Sequence, residues 1–82
     1  MILVFNEAAF KHGVTVGDIN CAMAVPLIDI LLDGYVNKFL LIGFDLNGNL
    51  LEIMYNLADE DTANVFHAMK CRKEFYKYIP RK

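Results

Sequence analysis

The feature that most constrains the fold of this chain is a turn signal near its middle, Asn47-Gly48, between two apolar segments. Both residues accept the positive φ angles of a tight hairpin turn, so we expect the flanking segments to pair as antiparallel strands over 38–45 and 49–57. Side chains of a strand alternate between its two faces. One face of the second strand should carry Leu51, Ile53, Tyr55 and Leu57, and the other Leu50, Glu52, Met54 and Asn56.

Two further strands are predicted around this hairpin, over 27–32 and 63–69. The first is an apolar run that ends at the turn Asp33-Gly34, and the second follows a polar turn over 58–62. With the hairpin they form a four-stranded antiparallel sheet. Regular alternation over 63–69 places His67 on the same face as Val65 and Met69.

Two short helices are predicted before the sheet. The first spans 7–12 and should end at Gly13, because glycine readily adopts the left-handed conformation found at helix ends. Thr15-x-x-Asp18 resembles a capping box that begins the second helix, which runs to about residue 24. Pro26 prevents this helix from continuing.

A basic helix is predicted after the sheet, over 70–79, with Pro80 at its end. At 100° per residue it has an apolar arc and, on another face, a lysine stripe. The arc consists of Cys71, Phe75, Tyr78 and Ile79, and the stripe of Lys70, Lys73 and Lys77. The expected fold class is therefore α+β, in the order helix, helix, four strands, helix.

The length and composition favour one domain over residues 1–82, since 82 residues with 56% apolar content suffice for a single core. So small a core favours a homodimer or a bound partner. The apolar runs are much shorter than the roughly 20 residues of a transmembrane helix. The apolar segment 1–5 lacks the basic start of a secretion signal, so we expect a cytoplasmic protein.

The two cysteines, Cys21 and Cys71, lie far apart and form no Cys-x-x-Cys pair, so we expect reduced, buried thiols. His67 and Cys71 have a spacing that could share a metal, but Cys21 and His12 offer no matching second pair. The sequence also has no glycine-rich phosphate loop and no nucleophile motif. We therefore predict neither a metal nor another cofactor.

Charge is distributed unevenly along the chain. From residue 70 to the end there are six Lys or Arg residues against one carboxylate, Glu74, whereas the first 69 residues carry two against nine. This asymmetry favours an anionic partner for the basic end. A solvated charged tail is the plainer interpretation.

Several motifs resemble those of the BrnT-type toxins. Lys11-His-Gly-Val14, followed by a Thr and an acidic residue, is similar to their KHGVSFEDA helix junction, and Pro26 falls near the DP that closes their second helix. The segment 41–51 resembles their aiGlsxxGrll hairpin. Phe66-His-Ala-Met69 and the basic segment after it fall where that family has ISAR and a basic stretch with Glu and Tyr. The resemblance covers nearly the whole chain, in order.

The resemblance implies a RelE-like fold and the toxin half of a type II toxin–antitoxin pair. Such toxins cut RNA, often messenger RNA and in some cases on the ribosome, without a metal, and a cognate antitoxin protein silences them. This chain lacks the usual Trp-containing start, and Met69 stands where the family has an arginine. We hypothesise that Arg72 takes the place of that arginine.

Metal-free cleavage of RNA needs a base for the 2′-hydroxyl, an acid for the leaving 5′-oxygen and positive charge near the phosphate. We hypothesise that His67 acts as acid or base, that Arg72 and Lys73 bind phosphate, and that Lys11 and His12 form the opposite wall of the site. The predicted catalytic residues are thus His67, Arg72, Lys73 and His12. The predicted RNA-binding residues are Lys11, Lys70, Lys77 and Tyr76, the last of which could stack on a base.

The same residues have plainer structural interpretations. His67 could be a half-buried, hydrogen-bonded histidine, His12 a cation near a helix C-terminus, and the lysines a solvated face. Glu52 is expected to be a surface carboxylate, with a catalytic role as the alternative. In the alternative reading the chain is a catalytically inactive RelE-fold binding module that acts through protein–protein or RNA contacts.

Overall fold

The computed structural model describes residues 1–80; Arg81 and Lys82 of the predicted basic end lie outside the described residues. Residues 1–80 form a five-stranded mixed sheet, one α-helix and two 3₁₀ helices. The strands are β1 (Ile2–Phe5), β2 (Ile28–Leu31), β3 (Phe39–Phe44), β4 (Leu50–Asp59) and β5 (Thr62–Lys70). Helix α1 spans Val16–Ala24, and the 3₁₀ helices span Glu7–Phe10 and Lys73–Tyr78. The α+β class predicted from the sequence is confirmed.

The sheet has the order β1-β5-β4-β3-β2, with β2 to β5 as an antiparallel meander. The predicted hairpin joins β3 to β4, but its turn is longer than two residues. Asp45 and Asn49 close it through the 2.8 Å hydrogen bond from Asp45 N to Asn49 O, and Gly48 alone takes a positive φ, of 80°. This is the longer hairpin loop in which glycine occupies the left-handed position.

The N-terminal strand β1 was not predicted from the sequence. It pairs in parallel with residues 62–65 of β5, which extends the predicted four-stranded antiparallel sheet to a mixed sheet of five strands. Its backbone is fixed at both ends, since Ile2 N donates to Asp61 O at 2.7 Å and Asn6 N donates to Val65 O at 2.8 Å. A run of only four residues carries little periodicity, so its pairing partner has no local signal.

Helix α1 begins with the predicted capping box. Asp18 N donates to the Thr15 hydroxyl at 3.1 Å, and Thr15 N donates to the Asp18 carboxylate at 3.4 Å. The helix lies very close to β3 at Gly43, where a Cβ atom would be 2.5 Å from the carbonyl oxygen of Ala22. Glycine is therefore required at this position for the helix to pack on the sheet.

The two faces of the sheet pack against different elements. We call the face under α1 and the first 3₁₀ helix the helix face. Its buried strand residues are Leu41, Leu51, Ile53, Tyr55, Ala63, Val65 and Ala68. We call the opposite face the polar face, on which Leu40 and Ile42 lie next to Glu52, Met54 and His67. The alternation predicted for β4 is confirmed.

The predicted α-helix over 70–79 is wrong. Strand β5 continues through Lys70, and Cys71 N donates to Leu50 O at 2.9 Å, so the chain still follows the sheet at residue 71. Only Lys73–Tyr78 is helical, and it is a 3₁₀ helix. Residues three apart lie in line in such a helix. The stripe predicted for residues 70, 73 and 77 is therefore not formed.

The apolar side of this terminal segment behaves as predicted. Phe75, Tyr78 and Ile79 pack against Leu40 and Ile42 on the polar face, beside the buried Cys71. The first helix is likewise shorter than predicted and of the 3₁₀ type, but Gly13 after it has the expected left-handed φ of 80°.

Candidate active site

A buried carboxylate lies on the polar face of the sheet. Glu52 is fully buried (0% exposed) and pairs with Ile42 of β3 on one side and Met69 of β5 on the other. The prediction of a surface carboxylate is wrong, because β4 is an inner strand and the segment after β5 covers this position. A buried carboxylate needs partners that replace its lost hydration.

Arg72 supplies most of these partners. Its Nε donates to Glu52 Oε1 at 3.0 Å and its Nη2 donates to Oε2 at 2.8 Å, which is a bidentate pair. Its backbone N–H also donates to Oε1, at 2.8 Å. The outer edge of the guanidinium stays accessible, since the side chain is 45% exposed and Nη1 makes only a 3.7 Å contact with Glu74. Arg72 is thus fixed by Glu52 while it can still bind an anion.

His67 contacts the same carboxylate, with its Nε2 2.9 Å from Glu52 Oε2. A β-bulge brings it there. Tyr55 pairs with Val65 and Met54 with His67, so Phe66 is an extra residue between them. The extra residue breaks the alternation and directs His67 to the polar face, while Val65 remains in the core of the helix face. The prediction that His67 and Val65 share a face is wrong for this reason.

The charge state of Glu52 determines which ring nitrogen of His67 donates a hydrogen bond and which can accept one. Burial raises the pKa of Glu52, but hydrogen bonds from the Arg72 side chain, the Arg72 backbone and His67 outweigh burial and lower it overall. The same pairing raises the pKa of Arg72. An ionised carboxylate can only accept hydrogen bonds, so Nε2 of His67 must donate to it. In the neutral imidazole, Nδ1 then has the free lone pair.

His12 brings a second imidazole to this cluster. Its ring centroid lies 5.9 Å from that of His67, in an edge-on arrangement with an interplanar angle of 74°. His12 is exposed and follows the first 3₁₀ helix, whose Ala9 is buried in the core of the helix face. The structure therefore brings together three of the four predicted catalytic residues, and Glu52 joins them.

The remaining predicted residues do not take part in the hydrogen bonds that join Glu52, Arg72 and His67. Lys11 and Lys73 are exposed next to His12 and Arg72 in the chain. Lys70 pairs with Leu51, whose side chain lies on the helix face, so Lys70 leaves the sheet on the side away from His67. A further exposed pair, Tyr76 and Lys77, lies on the second 3₁₀ helix, and the Lys77 Nζ is 5.3 Å from the ring centroid of Tyr78.

Glu52 is the functional candidate that sequence reasoning undervalued. The available signal was a single charged residue in an otherwise apolar stretch of a predicted strand. Such a charge needs a partner. The partner, Arg72, is 20 residues away, and only the register of β4 and β5 brings the two together.

The two cysteines are free thiols. Cys71 is buried, whereas Cys21 is only half-buried, so the prediction of burial holds for one of them. Burial raises the pKa of the Cys71 thiol, and the charge of Glu52 raises it further. Among residues 1–80, no group of three or more His, Cys, Asp and Glu side chains is arranged to hold a metal ion.

No helix within the described part of the chain is both long enough and apolar enough to cross a membrane. Comparisons with models of known protein families, with curated proteins and with solved structures find no match to this chain.

Proposed function

We propose that this chain is a metal-free endoribonuclease of the RelE-like kind, the toxin of a type II toxin–antitoxin pair that a cognate antitoxin neutralises. The observation that carries the proposal is the gathering of two imidazoles and a guanidinium around one buried carboxylate. His67 and Arg72 bind that carboxylate directly, and the ring of His12 adjoins that of His67. The sequence resemblance to BrnT-type toxins points to the same activity.

In the proposed reaction, Nδ1 of His67 accepts the 2′-hydroxyl proton, and the 2′-oxygen attacks the adjacent phosphorus. The bond to the 5′-oxygen breaks, and protonated His12 donates a proton to that oxygen. The products are a 2′,3′-cyclic phosphate and a free 5′-hydroxyl. An imidazole pair suits these roles because imidazole exchanges protons near neutral pH.

Arg72 stabilises the charge that develops on the phosphoryl oxygens. Its Nε and Nη2 are held by Glu52, so the outward edge with Nη1 is fixed in direction before the substrate binds. A preorganised cation of this kind stabilises a transition state without having to reorganise during the reaction. Lys73 and Lys11, exposed next to Arg72 and His12 in the chain, would add positive charge for the RNA backbone.

The first test is cleavage of a labelled single-stranded RNA by the purified chain in the presence of a chelator. We expect cleavage that leaves cyclic phosphate ends, and no cleavage of the matching DNA, which lacks the 2′-hydroxyl. His67→Ala and Arg72→Lys should lower the rate by about 10²–10⁴-fold and about 10²-fold, respectively. Asn20→Ala, at an exposed position of α1, serves as the control and should cleave like the wild type.

The second test is regulated expression in a bacterial host. An active toxin should arrest growth, and His67→Ala should relieve the arrest at equal soluble expression. A folded, well-expressed wild type that neither arrests growth nor cleaves RNA would end the nuclease proposal. Salt-sensitive RNA binding without cleavage would instead favour the inactive binding module.

A further inference from the structure

A second polar region lies on the polar face beyond His67. Asn56 of β4 pairs directly with Asn64 of β5, one row of side chains further along than the pair Met54 and His67. Both asparagines are half-buried. Neither amide group is hydrogen-bonded to another side chain or to the backbone within residues 1–80, whereas Asn37, Asn49 and Asn6 each take part in such a bond.

An aromatic residue follows Asn64 two positions later in the chain. Phe66 is the extra residue of the β-bulge, between Asn64 and His67 in the chain. The Nζ of Lys38 lies 5.9 Å from the centroid of the Phe66 ring and 4.6 Å from that of Tyr35. Lys38 precedes Phe39, whose ring stacks on Tyr55 of the helix face, so alternation directs Lys38 to the polar face.

The position of Lys38 is fixed by its neighbour. The Asn37 amide donates to Leu57 O at 2.9 Å and accepts from Leu57 N at 2.8 Å, which attaches the loop after β2 to the backbone of β4. Lys38 O also accepts from Leu32 N at 2.8 Å. The backbone of Lys38 is therefore anchored, and because Phe39 pairs with Tyr55, Lys38 lies level with Asn56 of β4.

We propose that Asn56, Asn64, Phe66 and Lys38 form a base-binding subsite for the nucleotide next to the scissile phosphate of single-stranded RNA; this inference rests on the proposed nuclease function. Asparagine amides carry both a donor and an acceptor and can read the edge of a base. An aromatic ring provides a stacking surface, which is how proteins bind unpaired bases. The lysine binds the neighbouring phosphate.

The arrangement of rows supports a continuous path for the substrate. Going along β4 on the polar face, Glu52 holds Arg72, Met54 lies opposite His67, and Asn56 lies opposite Asn64. Adjacent rows on one face of a strand are about 7 Å apart, twice the rise per residue. The phosphate-binding group, the proposed base catalyst and the amide pair thus follow one another in a line.

The test uses labelled 2′-O-methyl trinucleotides, which bind but cannot react because the nucleophilic hydroxyl is blocked. The middle base, which has an internucleotide phosphate on each side, is varied, and affinity is measured by fluorescence anisotropy. We expect the wild type to prefer one base by about tenfold or more. Asn64→Ala and Phe66→Leu should reduce that preference to below about threefold, and Asn20→Ala should retain it.

The outcomes separate the subsite from the nuclease activity. Base preference that survives in both Asn64→Ala and Phe66→Leu, with unchanged melting temperatures, overturns the subsite even if the wild type cleaves RNA. Selective binding by a wild type that does not cleave, if Asn64→Ala and Phe66→Leu abolish the selectivity, supports base binding at these residues and ends the nuclease proposal. Equal or undetectable binding of all four trinucleotides overturns the subsite.

Discussion

On the helix face, Gly43 allows α1 to lie against the backbone of β3, and the buried residues between them are aliphatic. On the polar face, Glu52 is just as deeply buried, but its neighbours are a guanidinium and an imidazole. The first face gains stability from close packing. The second retains a charged group whose hydration must be replaced by particular hydrogen bonds. The same inner strands thus carry a structural surface on one side and a candidate site on the other.

The largest expected effect comes from breaking the close contact on the helix face. Gly43→Ala adds a Cβ 2.5 Å from the Ala22 carbonyl oxygen, and because that atom belongs to the backbone, the whole helix must move. We expect a loss of about 3 kcal/mol or more in the free energy of unfolding, measured in urea.

Gly17→Ala is the matched control for Gly43→Ala. Its Cβ would meet the flexible end of Leu46 at 3.3 Å, and alanine is the better helix former, so we expect a change within about 1 kcal/mol. Equal stability of the two variants would contradict the close packing of α1 on β3.

The corresponding change on the polar face is Glu52→Gln. The amide keeps the size of the side chain but removes the charge that holds Arg72 and His67, so we expect a loss of about 2 kcal/mol in the free energy of unfolding. The rate of RNA cleavage should fall about 10²-fold or more, because Arg72 loses its fixed direction. Glu60→Gln, in the exposed turn after β4, is the control. A stable Glu52→Gln chain with full activity would show that the cluster does not position Arg72.

The comparison of the two faces also explains what could be predicted from the sequence. Local signals predicted the capping box of α1, the hairpin between β3 and β4 and the apolar alternation of β4, since each depends on residues close in the chain. Strand β1 was missed because its partner β5 begins 60 residues later. The prediction of a terminal α-helix was wrong because the chain continues to pair with β4 as far as Cys71, although residues 70–79 have helical periodicity.

The candidate site was predictable in its residue types but not in its geometry. His67, Arg72 and His12 stood out because they could perform the chemistry, whatever their positions in space. The bulge at Phe66 has no signal in the sequence, yet it decides which face His67 occupies. The role of Glu52 likewise depends on the register of β4 and β5, which no local signal in the sequence determines.

The contribution of Glu52 to the free energy of unfolding should depend on pH, in the direction set by its lowered pKa. The folded chain lowers the pKa of Glu52, so this group stabilises the fold above the pKa of an unfolded glutamate, about 4.3. Its contribution is lost as the pH falls through the lower pKa of the folded state. The stability difference between wild type and Glu52→Gln should therefore be largest at pH 7 and shrink at pH 2. A constant difference would mean that the charge of Glu52 contributes nothing.

The smallest expected change in the free energy of unfolding comes from removing a hydrogen bond on the helix face. Tyr55 donates its hydroxyl to Asp29 Oδ1 at 2.6 Å, and burial together with the Asp29 carboxylate raises the pKa of this phenol. Tyr55→Phe should cost about 1 kcal/mol, since the carboxylate of Asp29 can regain water. A double-mutant cycle with Asp29→Asn should yield a coupling of similar size. RNA cleavage should be unchanged, because Tyr55 lies on the opposite side of the sheet from His67; a clear loss of activity in a folded Tyr55→Phe variant would mean that the two faces do not act separately.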